Sequence, residues 1–301
     1  MKLPLIYLTI VLVVLFGFET PVSAVAINAD VGLTPSKDQT IIRSQVRYER
    51  KSDDPTTQNR DSRVWKFPQT IVYGFTERFA GIITVPYLNK ELRTVSGTER
   101  VIREDAGIGD ITLLTKYKVY KRDAPGATSR LAMIGGLELP TGQTGDSDTL
   151  GKLPRTRQLG SGSWDPIVGA AFTRQTLNDE WDISTTYQFN TVANNFEFGD
   201  VLKYTVAYQK RIWPWELPEW GEYTQLNVVL EANGIWAQKN RSGGGLVDNS
   251  GGNTIFLSPG LQVASKLTIV EVSVQLPAIQ NLNGNQTESD FVLVGSVRVT
   301  F

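Results

Sequence analysis

The chain has 301 residues, 41% of them hydrophobic, and a formal net charge of -1. That balance excludes a disordered chain and a broad basic surface for nucleic acid. With no cysteine and no histidine, disulfides, thiolate metal sites, cysteine nucleophiles and histidine acid–base schemes are excluded too.

The amino-terminal end reads as an export signal. Met1 and Lys2 precede an apolar run from Leu3 to Phe18, and the following FETPVSA has Val22 and Ala24 framing a small-residue cleavage site. The run is shorter than a spanning helix requires, and Pro21 follows at once. Cleavage is expected after Ala24, with residues 25–38 left as a short periplasmic segment ahead of the β-structure of 39–301.

From residue 39 onward the chain alternates with a period of two. RSQVRYE sets Val46 and Tyr48 against Arg43, Gln45, Arg47 and Glu49. RVWKFPQTIVYGF carries a Trp65, Phe67, Ile71, Tyr73 face. GIITVPY follows, and GDITLLTKYKVY then opposes Ile111, Leu113, Tyr117 and Val119 to Thr112, Lys116 and Lys118. After RLAMIGGLEL and DPIVGAAFTR comes the cleanest case, DEWDISTTYQFNTV. Its Trp181, Ile183, Thr185, Tyr187 and Phe189 share one face, and Asp182, Ser184, Thr186, Gln188 and Asn190 share the other. DVLKYTVAYQKR places Leu202, Tyr204, Val206 and Tyr208 against Lys203, while YTQLNVVLEANGIW places Leu226, Val228, Leu230 and Ala232 against Asn227 and Glu231. TIFLSPGLQ is expected to end at Pro259. TIVEVSVQL and FVLVGSVRVTF complete twelve predicted strands.

Two features select a membrane barrel over a secreted sandwich. The apolar faces carry large aromatics along nearly every strand, whereas the opposite faces repeat charge. The candidates for the inner face are Arg43, Arg47, Glu49, Lys66, Lys116, Lys118, Glu138, Asp182, Lys203, Arg211, Glu231, Glu271 and Arg298. A barrel turns one face to lipid and the mixed one inward; a sandwich must bury the apolar faces together. The connections also alternate: long around 52–61, 89–108, 140–162, 238–252 and 277–288, short at 176–180 and 263–266, with 121–128 and 212–221 as exceptions. This pattern predicts an all-β, antiparallel transmembrane β-barrel of about twelve strands with both termini periplasmic. Trp65, Trp164 and Trp236 then fall at the outer interface, and Trp181, Trp213 and Phe301 at the periplasmic one.

GIGDITLLTKY (107–117), GGLELPTG (135–142), LGSGSWDPIVG (159–169), YQFNTVANNFEFGDVLKYTVAY (187–208) and LSPGLQ (257–262) resemble the "MetA-pathway of phenol degradation" family of outer-membrane transporters. The resemblance runs from about residue 70 to Phe301. It implies a β-barrel channel of the bacterial outer membrane, of a kind found near genes for breakdown of aromatic compounds, and no catalytic residues. The terminal alternating strand ending in Phe301 is similar to the signal read by the barrel assembly machinery, so that machinery and outer-membrane lipid are the expected partners.

Enzymatic chemistry finds little support. Ser265 and Lys266 are adjacent in a strand and so point to opposite faces. GIGD and ELPTGQTGD lack the lysine and following helix of a phosphate loop. Asp146, Asp148, Asp179 and Asp248 match no calcium-loop spacing. No enzyme activity, cofactor or metal is expected. The expected function is passive passage of small organic solutes, aromatic ones included, with the 140–162 loop long enough to fold inward as a constriction. A closed barrel that binds ligands or partners, or is structural, is the alternative; a soluble secreted β-domain is the third reading.

Overall fold

The computed structural model describes residues 26–97, 99–216, 218 and 223–301. The signal expected over 1–24 lies outside the described residues. Twelve staves form one closed antiparallel sheet: β1 (Thr40–Asp53), β2 (Asp61–Gly74), β3 (Phe79–Ser96), β4 (Glu99–Ile108 and Ile111–Ala124), β5 (Ala127–Leu139) and β6 (Asp165–Thr176), then β7 (Asp179–Gln188), β8 (Val201–Trp213), β9 (Gln225–Ala237), β10 (Gly252–Ala264), β11 (Thr268–Leu282) and β12 (Glu288–Thr300). Each pairs with its chain neighbour, and β12 closes on β1 with Arg43 opposite Arg298 and Arg47 opposite Val294. Closure leaves no unpaired edge, the condition for strands in lipid. No helix among the described residues is long and apolar enough to cross a membrane.

The outward face is the apolar one. Ile42, Val46, Ile183, Val206, Leu230, Leu261, Val272 and Leu293 are all exposed, while the alternate positions are enclosed. Aromatics run across neighbouring staves on this face. Tyr48 lies 4.6 Å from Trp65 and 6.0 Å from Phe291, and Phe67 lies 6.3 Å from Tyr87. Such cross-strand pairs contribute roughly 0.2–1 kcal/mol each.

Three expectations are corrected. The 89–108 stretch is not a loop: β3 continues to Ser96 and pairs with the first run of β4, Tyr87 opposite Ile108 and Ser96 opposite Glu99. Charge on both faces, from Lys90 and Glu91 to Arg103 and Glu104, suits this hairpin to water beyond the apolar band. The 121–128 exception is a tight turn at Pro125–Gly126, where Gly126 has φ of 71°. Pro259 does not end its strand; it lies within β10, opposite Leu230 of β9. The ladder to β11 runs from Leu257–Leu276 to Gly260–Ser273 and opens between them, so the missing proline N–H falls where no pairing is made.

Candidate functional site: the barrel lumen

Inward positions of β6 to β12 carry a polar layer interrupted by an apolar patch of Val229, Phe256, Val292 and Val294. Glu271 on β11 is its best-connected member. It accepts hydrogen bonds from Arg43 at 2.6 Å, Arg298 at 3.3 Å and Gln262 at 3.1 Å, and a further one from the Ser296 hydroxyl. Charges withdrawn from water are tolerable when paired and hydrogen-bonded in this way.

Residues 25–38 were expected to form a short periplasmic segment ahead of the staves; of these, 26–32 lie against the inner wall of the barrel. Glu231 of β9 accepts the Ile27 N–H at 2.7 Å, the Asn28 N–H at 3.0 Å and the Asn28 side-chain amide at 2.7 Å. Arg43 donates to the Ile27 carbonyl at 2.5 Å, Arg47 to the Asn28 side-chain carbonyl at 3.3 Å, and Lys116 to the Val31 carbonyl at 2.8 Å. Asp182 accepts from the Ala26 N–H and from the Thr173 hydroxyl. A segment without sheet partners needs its N–H and C=O groups satisfied once it is enclosed. The charged wall supplies those partners, which gives a physical reason for the segment to enter.

Apolar packing adds to this seat. Ile27 is 0% exposed and clusters with the inward Val229, Phe256, Val292 and Val294. Burying one such side chain stabilises by about 1.5–3 kcal/mol. Gly260 of β10 makes room for it: a Cβ there would lie 2.5 Å from the Ile27 Cδ1 and 2.8 Å from the Val272 carbonyl oxygen. Gly32 rests on backbone in turn, its N–H bonded to the Thr173 hydroxyl at 2.9 Å. From Thr34 the segment leaves along the β2–β3 turn, with its hydroxyl on the Glu77 carbonyl at 3.1 Å and the Asp38 N–H on the Gly74 carbonyl at 2.7 Å.

The segment separates two cavities that share no lining residue. The outer one, about 440 Å³, is lined by Asn28, Asp30, Arg47, Glu49, Lys66 and Lys203 among others. The periplasmic one, about 510 Å³, is lined by Glu180, Gln209, Arg211 and Asn227 among others. On β7 the wall of the periplasmic cavity includes 180 and that of the outer one 184; on β9 the corresponding positions are 227 and 233. The intervening Asp182, Val229 and Glu231 are those that hold Ala26, Ile27 and Asn28.

The thirteen charged candidates thus divide by position. Arg43, Arg47, Lys116, Asp182 and Glu231 touch the segment, while Glu271 braces Arg43 from behind and also holds Arg298. Glu49 sits between Lys66 and Lys51, each at 3.1 Å, and Glu138 accepts from Gln188 at 3.0 Å. Lys203 lines the outer cavity. Lys118 and Arg211 are buried nearer the periplasmic rim, where Arg211 donates to the Asn178 side chain. Neither reaches the segment. Trp164, Trp181, Trp213, Trp236 and Phe301 are exposed at stave ends or beside them, and Trp65 is exposed within β2, four residues from its start. Alternation placed Gln209 and Asn227 opposite the apolar faces without naming them as candidates, and Glu180 was passed over although it falls on the Asp182 face.

Beyond the staves, the 140–162 loop is tied down rather than loose. The Asp110 carboxylate accepts the Gly142 N–H at 2.8 Å and the Ser161 N–H at 2.6 Å, which closes the loop at its base. Arg103 grips Asp148 at 2.8 and 3.0 Å, and Lys90 donates to the Gln158 carbonyl at 2.5 Å. The loop therefore covers the β3–β4 hairpin face opposite the exposed Ile102 and Ile108. Burial pushes the Arg157 guanidinium below its usual range, against the pull of Glu49. Asp148 and Asp248, considered for calcium, are taken by Arg103 and Lys239.

Known proteins place this architecture. No curated protein sequence matches the chain. The COG4313 outer membrane channel from Pseudomonas putida F1 is similar in structure, with a TM-score of 0.67 and 14% identity over 91% of this chain and 100% of that one. The beta domain of the Bordetella autotransporter BrkA (TM-score 0.46, 12% identity, 88% of this chain and 100% of that one) resembles it less. At such identities the likeness concerns the fold. Residues 48–276 match the family described as "Putative MetA-pathway of phenol degradation". The closed barrel with its apolar outer face is that of a protein of the bacterial outer membrane. The chain belongs to the MetA-pathway of phenol degradation family.

Proposed function

We propose that the protein is a passive outer-membrane channel for small organic solutes, aromatic ones among them, and that residues 26–32 are its plug. The observation that carries this reading is the pair of cavities divided by the seated segment. The segment is held by side-chain hydrogen bonds and one isoleucine, with no ladder to any stave, so an arrangement without it leaves the barrel closed. The outer cavity combines charged groups with the apolar Phe256 and Val292, a lining suited to solutes that have both a polar group and a hydrocarbon body.

The closed-barrel alternative is favoured by the same seat, which occupies the middle of the lumen. Planar bilayers and liposome swelling separate the two. The channel reading expects ion conductance and entry of small phenols or aromatic acids, both increased when Ile27 and Asn28 are replaced by Gly. Silence in both preparations, with correctly folded protein, would leave the closed barrel standing.

A further inference from the structure

Arg47 lines the outer cavity and spends its hydrogen bonds on neutral acceptors. Its Nη1 donates to the Asn28 side-chain carbonyl at 3.3 Å and its Nη2 to that of Gln275 at 3.3 Å. Both bonds are long for a guanidinium, which sits about 2.7–2.9 Å from a carboxylate it binds directly. The acids whose charge acts on Arg47 are engaged elsewhere. Glu49 is held by Lys51 and Lys66 at 3.1 Å each, and Glu231 accepts from Ile27 and Asn28. Lys203 of β8 is open to the same cavity, and Glu138 and Asp30 act on it only at longer range. A fixed guanidinium and an accessible ammonium thus share one cavity, and neither makes a direct carboxylate contact among the described residues.

The apolar part of that lining is Phe256 and Val292, on which Ile27 of the segment packs. We propose that the outer cavity binds an organic carboxylate, with Arg47 and Lys203 taking the charge and Phe256 and Val292 the hydrocarbon body, and that this ligand competes with the plug for Arg47. It rests on the reading of the lumen as a solute path and narrows the solute from small organic molecules to anionic ones. The ligand repeats what residues 27 and 28 offer, an apolar body beside an oxygen acceptor, with a full charge where Asn28 has an amide. A charge-assisted bond is roughly twice as strong as a neutral one, so the carboxylate takes Arg47 from Asn28. Asn28 Oδ1 then loses the donor that holds it, and the seat loosens when solute is present.

Benzoate, its uncharged counterpart benzyl alcohol, and acetate, a carboxylate without the ring, test it on purified protein in detergent. Calorimetric titration gives the affinities. Hydrogen exchange followed by mass spectrometry reads the peptide that contains Ile27 and Asn28, whose N–H groups Glu231 holds. Benzoate is expected to bind at least about tenfold more tightly than benzyl alcohol. It should also bind more tightly than acetate, and at saturation it should speed exchange of that peptide severalfold. Arg47→Gln and Lys203→Gln should each weaken benzoate about tenfold and leave benzyl alcohol unchanged. If Arg47→Gln fails to fold, Lys203→Gln carries the test, since the Lys203 ammonium has no hydrogen bond to lose among the described residues. Equal affinity for benzoate and either control, benzoate binding unaltered by the variant that folds, or exchange unchanged at saturating benzoate overturns the proposal. Both readouts are independent of conductance. Protein that conducts but does not bind benzoate loses this proposal alone, and protein that binds benzoate but is silent in bilayers loses the channel reading alone.

Discussion

Glu231 and Ile27 lie 204 positions apart in the chain, and the Glu231 carboxylate accepts the Ile27 N–H at 2.7 Å in the middle of the lumen. The same carboxylate holds Asn28. Hydrogen bonds to a charged group contribute about 1.5–3 kcal/mol each. Glu231→Gln keeps one acceptor and removes the charge, so the seated state should lose at least about 1.4 kcal/mol, a tenfold change in occupancy. Single-channel recording should show a correspondingly higher open probability with unchanged heat-modifiable migration on gels. An unaltered open probability would mean that Glu231 does not hold the plug.

Gly32 offers a steric test of the same seat. A Cβ there would lie 2.6 Å from the Arg130 carbonyl oxygen and 2.9 Å from that of Ala171. Both obstacles are backbone of paired staves and cannot turn aside as a side chain could. Gly32→Val should therefore displace the segment while leaving the barrel intact, because no stave contains residue 32. Cleavage of the segment by added protease, monitored by mass spectrometry, should rise severalfold over wild type. Equal protection in both proteins would show that the segment rests elsewhere.

The staves were legible because a wall between lipid and water imposes a period of two, and Trp181, Ile183, Asp182 and Ser184 display it. The plug was not, because 26–32 has no period: its partners Glu231, Arg43 and Lys116 are set by tertiary placement alone. Glu231 read as a lumen charge on alternation, but nothing local tells a charge facing solute from one facing the chain's own backbone. The β3–β4 extension failed for a related reason. With charge on both faces it has no apolar side to alternate against, so it reads as a loop. Pro259 misled because its cost depends on which neighbour needs the N–H, and that neighbour, β11, is known only once the ladder is laid out.

Ion preference should be set in the outer cavity. Arg47, Lys51, Lys66 and Lys203 line it against Asp30 and Glu49, an excess of positive charge. Wild-type protein should favour anions, and Lys203→Glu should shift the reversal potential under a salt gradient toward cations. The shift should shrink at high salt, where the Debye length falls to about 3 Å at 1 M. A reversal potential that ignores the substitution would place Lys203 off the conducting path.

The outer β1–β2 turn carries its own acid-stable clasp. Asp54 is pulled well below the usual carboxylate range: burial opposes the shift, but hydrogen bonds from Arg60 and from Thr56 outweigh it. A depressed folded value means stability that is present above the unfolded pKa and lost only as pH falls through the folded one. The turn should thus stay closed to proteolysis at neutral pH and through pH 4, near the unfolded carboxylate value of about 3.9. Asp54→Asn should open it at neutral pH by about 1.5–3 kcal/mol. Equal proteolytic rates for the two proteins at pH 7 would show that the pair does not hold the turn.

Phe301 sits on the seam where the last stave meets the first. Its N–H donates to the Thr40 carbonyl at 2.8 Å and its carbonyl accepts from the Thr40 N–H at 3.0 Å, immediately beyond the last rung of the β1–β12 ladder. Those two bonds belong to the backbone, so Phe301→Ala leaves them available and removes only the exposed ring. Two effects then separate. If the ring serves the finished barrel alone, as an interfacial anchor, the variant should assemble at the wild-type rate and lose a little thermal stability. If the ring is also read during insertion by the assembly machinery, folded protein in the outer membrane should fall severalfold while the purified variant melts close to wild type. Pulse-labelled cells, scored for heat-modifiable barrel, give the first quantity, and thermal melts in detergent give the second. The second pattern is expected, because a single exposed ring among many lipid-facing apolar groups contributes little to a closed sheet, whereas the seam is the last contact that insertion must complete.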